Sequence, residues 1–284
     1  MIRIDTEANY KAVFFNGKTV RQRLDSTKSI TAPKYPEIED VAINSLCYAN
    51  CSYCYTSATK HGKNFENIVE KAEDIWGSIS QNNRPFQIAI GGAGESTLHP
   101  KWIDFIKTVN SLGIVPNYTT NGMHLTEDIL ITTEKYCGGV ALSYHPHIKK
   151  EIFNNAIRNI SGFDIRLNLH LIIGDTKSLF DAKVIYETYK DNIEYFVMLP
   201  YQASGRGIKI DTEETWKELF LWISTLSEKR QQQFAFGALF YEFLLNNPFF
   251  VNIDIYQPEI YSGYRMMDDT YKVLRKSSYN LEPK

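Results

Sequence analysis

Two periodicities run through the pattern of hydrophobic and polar positions along the chain. From about residue 41 onward, short apolar and β-branched runs alternate with stretches in which apolar residues recur every three or four positions. The first pattern is typical of strands inside a sheet, and the second of helices that pack one face against it. The predicted strands are residues 41–46, 86–90, 114–120, 139–144, 163–173 and 193–199, with a helix after each.

This alternation predicts a parallel sheet with helices outside it. Six units give an α/β fold, a partial (β/α)6 barrel of the TIM type. We expect three parts: a polar, irregular N-terminal extension over residues 1–40, the barrel core over 41–207, and a mixed C-terminal extension over 208–284 that packs on the barrel. Ligands of such folds bind where the strands end, so the loops after the strands are the place to look for chemistry.

Three of the four cysteines, Cys47, Cys51 and Cys54, lie in the string CYANCSYC directly after the first predicted strand. Their spacing differs from the paired C-x2-C of a zinc ribbon. Three thiolates on one short loop can instead hold three irons of a cubane cluster and leave the fourth open. Two other interpretations stay open: a structural zinc site with His61 as the fourth ligand, and buried apolar thiols.

The spacing C-x3-C-x2-C, with Tyr53 before the last cysteine, resembles the motif of the radical S-adenosylmethionine (radical SAM) superfamily. One unit later, the string GGAGESTLHP is similar to that family's glycine-rich loop, although Ala93 interrupts the glycines and Ser96 replaces a proline. The resemblance implies one [4Fe-4S] cluster on the three cysteines and SAM as the second cofactor. The SAM-binding residues that it implies are Tyr53, Gly91, Gly92, Gly94, Glu95 and Ser143.

The same resemblance implies an activity. A radical SAM enzyme cleaves SAM reductively to methionine and a 5′-deoxyadenosyl radical, which abstracts a hydrogen atom from a substrate. It also implies an electron donor of the flavodoxin or ferredoxin type. A peptide or protein substrate is favoured, and a nucleotide, an RNA or a small metabolite stays open. The tail without cysteines argues against auxiliary clusters, and a non-catalytic zinc or iron–sulfur module is the competing class.

The fifth predicted strand alternates apolar and polar residues over positions 165–171. Because successive side chains of a strand point to opposite faces, and the helices cover the apolar face, the polar residues are expected in the barrel interior. We expect Arg166 and His170 to be catalytic and Asn168 to bind SAM. The alternative is a polar network in a water-filled interior.

Two further residues, Arg206 and Cys137, have candidate roles. Arg206, between Gly205 and Gly207 after the sixth strand, is expected to lie over the cofactor or substrate and pair with a carboxylate, unless the loop is merely solvated. Cys137 is expected to be a small buried hydrophobe, with hydrogen-atom donation as the alternative.

Composition and charge limit the partners. The formal net charge of the 284 residues is −2, which disfavours nucleic acid because its binding proteins carry a basic excess. No apolar run reaches the ~18 residues of a membrane span, and the first residues lack a signal-peptide pattern. We therefore expect a cytoplasmic protein with reduced thiols and no membrane partner.

Overall fold

A curled, mainly parallel sheet with helices on its outer face dominates the computed structural model. The structure describes residues 1–31, 34–237, 239–247, 253–254, 261–267, 270–275, 278–280 and 282–283. The described strands are β1 (Ile2–Asp5), β2 (Tyr10–Phe15), β3 (Lys18–Arg23), β4 (Ile38–Ala42), β5 (Gln87–Ile90), β6 (Val115–Thr120), β7 (Gly139–Ser143), β8 (Leu167–Ile173), β9 (Tyr195–Pro200), β10 (Phe234–Gly237), β11 (Ile253–Asp254), β12 (Tyr261–Met266), β13 (Thr270–Arg275), β14 (Ser278–Asn280) and β15 (Glu282–Pro283).

Helices follow most strands of the large sheet. They are α1 (Ile68–Ala72), α2 (Trp102–Ser111), α3 (Glu127–Tyr136), α4 (Lys150–Ile160), α5 (Thr176–Tyr189), α6 (Glu213–Ser224), α7 (Glu228–Gln231) and α8 (Leu239–Asn246). A π-helical turn, Glu73–Gly77, continues α1, so the first helix of the barrel is short and irregular. In the described ranges, no helix has the length and apolar character needed to cross a membrane.

The large sheet has the strand order β13-β12-β4-β5-β6-β7-β8-β9-β10-β14. Neighbouring strands from β4 through β10 are all parallel, which makes a seven-stranded half-barrel. The predicted partial TIM-type barrel is therefore confirmed, with β10 added to the predicted six strands; at the other edge, β12 also pairs parallel with β4. The additional strand, β10, is only four residues long, and its pattern FAFG is too short to be assigned from periodicity.

Helix α2 shows how the outer layer is built. Its buried residues Trp102, Phe105, Ile106 and Val109 recur at helical spacing and form one apolar face. This face joins a single core with the outward side chains of the strands, among them Leu169 of β8. The parallel strands thus have an outer apolar face under the helices and an inner, more polar face.

Residues 1–40 depart from the irregular extension that we expected. Strands β1, β2 and β3 form an antiparallel sheet, with a tight turn at Asn16 and Gly17 whose φ angles are 51° and 76°. Two positive φ angles are what a two-residue hairpin turn requires, and Asn-Gly between alternating strands is its sequence signal. The pattern was therefore present in the sequence and was missed.

This small sheet covers the amino end of the barrel. Its buried residues Tyr10 and Phe14 form a second apolar cluster with Phe86, which precedes β5, and with Val115 at the start of β6. The rings of Phe14 and Phe86 stack with centroids 5.6 Å apart. The carboxyl ends of the strands, and the loops that follow them, lie at the other end.

Strand β8 allows a direct test of which side chains face the helices and which face the barrel interior. Leu169 has 0% exposure, so Leu169→Ala should lower the free energy of unfolding by ~2–5 kcal/mol through the cavity it leaves. Asn168 is half-buried on the inner face, and Asn168→Ala should cost under ~1 kcal/mol. Urea denaturation of both variants measures the difference, and a larger loss for Asn168→Ala would show that the faces are assigned the wrong way round.

Candidate metal and cofactor site

The three clustered cysteines lie on a loop that leaves the carboxyl end of β4; we call residues 47–58 the cysteine loop. Its start is fixed against the returning chain, because the Cys47 N–H donates to the Thr59 carbonyl at 2.9 Å. Around the second and third cysteines the loop forms a tight turn, in which the Cys54 N–H donates to the Cys51 carbonyl at 3.3 Å. Asn50 has a φ of 52° at the bend between these two parts, a conformation that asparagine tolerates better than most residues.

The glycine-rich loop after β5, residues 91–95, packs against the chain that enters the cysteine loop. The Glu95 N–H donates to the Leu46 carbonyl at 2.8 Å. A Cβ atom at Gly94 would lie 2.6 Å from Asn44 Oδ1 and 2.7 Å from the Leu46 carbonyl oxygen. Only glycine permits this approach, so Gly94 has a packing role that is independent of any ligand.

The carboxylate of Glu95 joins this loop to the next one. It is buried; the Thr97 hydroxyl donates to its Oε1 at 2.7 Å and the Asn121 N–H donates to its Oε2 at 2.8 Å. Burial raises the pKa of Glu95, and these hydrogen bonds act in the opposite direction. The Thr120 hydroxyl and the Thr97 N–H donate to the same carboxylate, so donors of this chain occupy most of its lone pairs.

Each cysteine sulfur has a polar neighbour of its own. Asn121 Nδ2, in the loop after β6, is 3.8 Å from Cys47 Sγ. His145 Nδ1, in the loop after β7, is 3.7 Å from Cys51 Sγ. Thr56 Oγ1 is 3.3 Å from Cys54 Sγ. The loops that follow three different strands therefore meet at the thiols.

The thiols also affect one another. Burial raises the pKa of Cys47 and of Cys51, and negative charge on neighbouring cysteines raises both further. Burial alone would raise the pKa of Cys54 as well, but hydrogen bonds from Thr56 and Ala58 lower it below its usual value. Thiolates so close together repel one another, and a bound cation would relieve that repulsion.

Soft thiolate donors on one loop suit an iron–sulfur cluster in their chemistry. Across the described ranges, no three His, Cys, Asp or Glu side chains are arranged so that they could hold a metal ion. The zinc interpretation gains no support from His61, whose side chain is exposed. The residues that would hold a cluster are Cys47, Cys51 and Cys54.

A phenol and two imidazoles lie beside Cys51. The hydroxyl of Tyr53 is 3.0 Å from His145 Nδ1, and His147 Nε2 donates to the Ala49 carbonyl at 2.8 Å. Desolvation, assisted by the neighbouring histidines, lowers the pKa of His145 to about 4. Neither histidine was among the predicted site residues; two histidines right after a predicted strand were the available signal.

The inner face of the barrel carries three of the predicted residues. Ser143 at the end of β7 lies in register with His170 of β8, and Asn168 lies two residues before it on the same face. All three are half-buried, while Leu167, Leu169 and Leu171 are buried on the other face, as the alternation predicts. Desolvation lowers the pKa of His170 to about 4.

Arg166 is not brought to this site. It precedes the first residue of β8, at the amino end of the barrel, and its side chain is exposed. Its guanidinium donates to the Asn16 carbonyl at 2.9 Å and to Asn16 Oδ1 at 2.6 Å, in the turn between β2 and β3. Parity decides the face of the sheet but not the position along the strand, and Arg166 lies four positions before His170.

Cys137 lies at the same, amino end of the barrel, between α3 and β7. It packs against the main core, and burial raises the pKa of its thiol. The interpretation as a small hydrophobe agrees with this environment.

Arg206, in the loop after β9, reaches the cysteine loop and not a carboxylate. Its Nε donates to the Cys51 carbonyl at 2.9 Å and its Nη1 to the Ala58 carbonyl at 2.7 Å. We expected Arg206 to pair with a carboxylate. In these contacts its guanidinium instead donates to backbone carbonyls of the cysteine loop.

No protein-family model matches the chain. A stretch of 92 residues is 29% identical to the tungsten-containing aldehyde ferredoxin oxidoreductase cofactor-modifying protein of Pyrococcus furiosus, covering 31% of this chain and 24% of that protein.

Similar solved structures cover more of the chain. SuiB of Streptococcus suis bound to S-adenosylmethionine superposes with a TM-score of 0.65 at 13% identity over 84% of this chain and 60% of SuiB. SuiB bound to its precursor peptide SuiA gives 0.64 at 13% identity over 84% of this chain and 59% of SuiB. The protein anSMEcpe with bound AdoMet and a peptide gives 0.52 at 14% identity over 66% of this chain and 60% of that protein.

These solved structures are radical SAM enzymes. The chain has their fold. It spans about three fifths of the length of each and a quarter of the curated relative.

Glu95 provides a test of how the loops are joined. Glu95→Ala leaves the buried Asn121 N–H without its acceptor, so the free energy of unfolding should fall by ~1–3 kcal/mol. Glu95→Gln should keep most of the stability, because its amide oxygen can accept from Asn121 while Thr97 Oγ1 accepts from its amide nitrogen. Denaturant titrations of the two variants decide this, and equal stabilities for Glu95→Ala and the unmodified chain would refute the joining role.

His170 should make stability depend on pH. Its pKa is about 4 in the folded chain against 6.5 when unperturbed, so the unfolded chain binds the proton more readily. The resulting stability is present above pH 6.5 and is lost as the pH falls toward 4, by on the order of 1–3 kcal/mol. Unfolding measured from pH 7.5 to 4.5 should show a shallower decline for His170→Gln; an unchanged slope would contradict the prediction.

Proposed function

We propose that the chain is a radical SAM enzyme that holds a [4Fe-4S] cluster on Cys47, Cys51 and Cys54 and binds S-adenosylmethionine beside it. The observation that carries the proposal is the meeting of three thiols with the loops after β5, β6 and β7 at the carboxyl edge of the half-barrel. A likeness in fold to radical SAM enzymes supports an enzyme. When bound, such a cluster supplies the electron that breaks a carbon–sulfur bond of SAM.

The residues around the thiols would position SAM. Gly91 and Gly92 are half-buried, and Gly92 has a φ of 86°, so their backbone can approach the methionine part closely. Glu95 fixes this loop through its hydrogen bonds to Thr97 and Asn121, and its carboxylate would attract the methionine ammonium. Tyr53, oriented by His145, would lie against the adenine, while Ser143 and Asn168 would bind the ribose or carboxylate from the inner face.

His170 would face the substrate. It is neutral at physiological pH because desolvation lowers its pKa to about 4, so it can donate from one ring nitrogen and accept at the other. Beside Ser143 it offers a polar, half-buried wall that can orient a substrate without adding charge. Positioning of this kind contributes to rate by holding the reacting atoms in place.

A peptide is the substrate that we propose. SuiB is described in complex with its precursor peptide and anSMEcpe with a peptide, and both share the fold. An electron donor of the flavodoxin or ferredoxin type, in a cytoplasmic setting, would supply the reductant. The net charge of −2 gives no support to a nucleic-acid substrate.

Anaerobic reconstitution with iron and sulfide, followed by SAM and dithionite, tests the proposal. We expect about four irons per chain, the number that defines a [4Fe-4S] cluster, and release of 5′-deoxyadenosine. Replacement of Cys47, Cys51 and Cys54 together by alanine should abolish both, whereas Cys137→Ala, the matched control, should preserve both. Retention of a full cluster by the triple variant, or stable binding of one zinc with no SAM cleavage by the unmodified chain, would refute the assignment.

A further inference from the structure

One arginine after β9 makes a concentrated set of contacts with the cysteine loop. The Arg206 backbone N–H donates to the Cys54 carbonyl at 2.9 Å. Its Nε and Nη1 donate to the carbonyls of Cys51 and Ala58 at 2.9 and 2.7 Å. Three carbonyls spread over residues 51–58 are thus tied to one residue that lies about 150 positions later in the chain.

These carbonyls belong to the part of the loop that carries the second and third cysteines. The Cys51 and Cys54 carbonyls also accept the turn hydrogen bonds from Cys54 N–H and Ser57 N–H, at 3.3 and 3.1 Å. Each of these two carbonyls therefore uses both of its lone pairs, one within the loop and one toward Arg206. The arginine thereby closes the same two turns that set the directions of Cys51 and Cys54.

Gly205 fits the same interface. Its φ is +59°, and a Cβ atom there would lie 2.4 Å from the Cys54 carbonyl oxygen and 2.5 Å from the Tyr55 carbonyl oxygen. Backbone of the two loops is in direct contact at this point. Glycine is required for both the conformation and the contact.

We propose that Arg206, with Gly205, is a latch that holds residues 51–58 in one backbone conformation before a cluster binds. Arg206 is thus a positioning residue: its hydrogen bonds to Cys54, Cys51 and Ala58 all end on carbonyl oxygens, so it acts on the backbone of the cysteine loop. The role in cluster binding rests on the proposed function; the role in holding the loop does not. A bidentate guanidinium suits this task, since one lysine ammonium cannot reproduce its planar fork.

The latch can be measured in the metal-free full-length chain. In Arg206→Gln, the amides of Cys54 and Ser57 should exchange with deuterium at least tenfold faster, because the carbonyls that accept them are no longer held. Arg206→Lys should fall between Arg206→Gln and the unmodified chain. Arg84→Gln is the matched control: Arg84 also donates to three backbone carbonyls, those of Gly77, Ile79 and Leu112, but away from the cysteine loop.

A second variant leaves Arg206 in place. Gly205→Ala should separate the two loops and give the same faster exchange over residues 51–58, while Gly77→Ala, where a Cβ meets only Leu112 Cδ2 at 3.8 Å, should not. Unchanged exchange in both Arg206→Gln and Gly205→Ala, each shown to be folded by circular dichroism, would overturn the proposal.

Iron uptake connects the latch to the cluster. At limiting iron, Arg206→Gln should incorporate iron several-fold more slowly than the unmodified chain and Arg84→Gln. Equal uptake rates, despite a loosened loop, would overturn the link to cluster binding. If the unmodified chain takes up no iron, the proposed function fails, while the exchange experiment still decides whether the latch exists.

Discussion

The chain between β4 and α1 carries the candidate chemistry on backbone that has no long strand or helix to pair with. Buried peptide groups without partners are costly, so such a loop keeps one shape only if other parts of the molecule bind its carbonyls and amides. Here the partners are Thr59 for Cys47, Glu95 for Leu46 and Arg206 for Cys51 and Ala58. The positions of the thiols therefore depend more on these backbone hydrogen bonds than on the cysteine side chains.

The parallel half-barrel supplies those partners because its strands all end at one edge. Loops that are distant in sequence become neighbours there, so Glu95 after β5 can accept from Asn121 after β6. The same geometry brings His145 after β7 to Cys51. The covered amino end contributes differently: Arg166 is used there to fasten the small sheet through Asn16, which explains a polar residue that lies in line with Asn168 and His170 but takes no part in the site.

Much of the fold could be predicted from local patterns in the sequence. The alternation of Leu167, Asn168 and Leu169 predicted their burial. Thr126, a residue type that is favoured at helix N-termini, caps α3, and its side chain accepts from the Ile129 N–H. The hairpin at Asn16 and Gly17 was equally local and was overlooked. What no local pattern could give is a contact across 155 residues, such as that between Arg206 and Cys51. The roles of the cysteines and of the glycine-rich loop stay predictions, because no cofactor contact fixes them.

The distance in sequence between the two ends of the latch has a consequence for the order of folding. During synthesis the cysteine loop leaves the ribosome about 150 residues before Arg206. At typical elongation rates this interval is on the order of 10 s, in which the three thiols are present but the turns around Cys51 and Cys54 lack their long-range support. The turns around Cys51 and Cys54 therefore take their final shape only after β9 and Arg206 have been synthesised and β9 has joined the sheet.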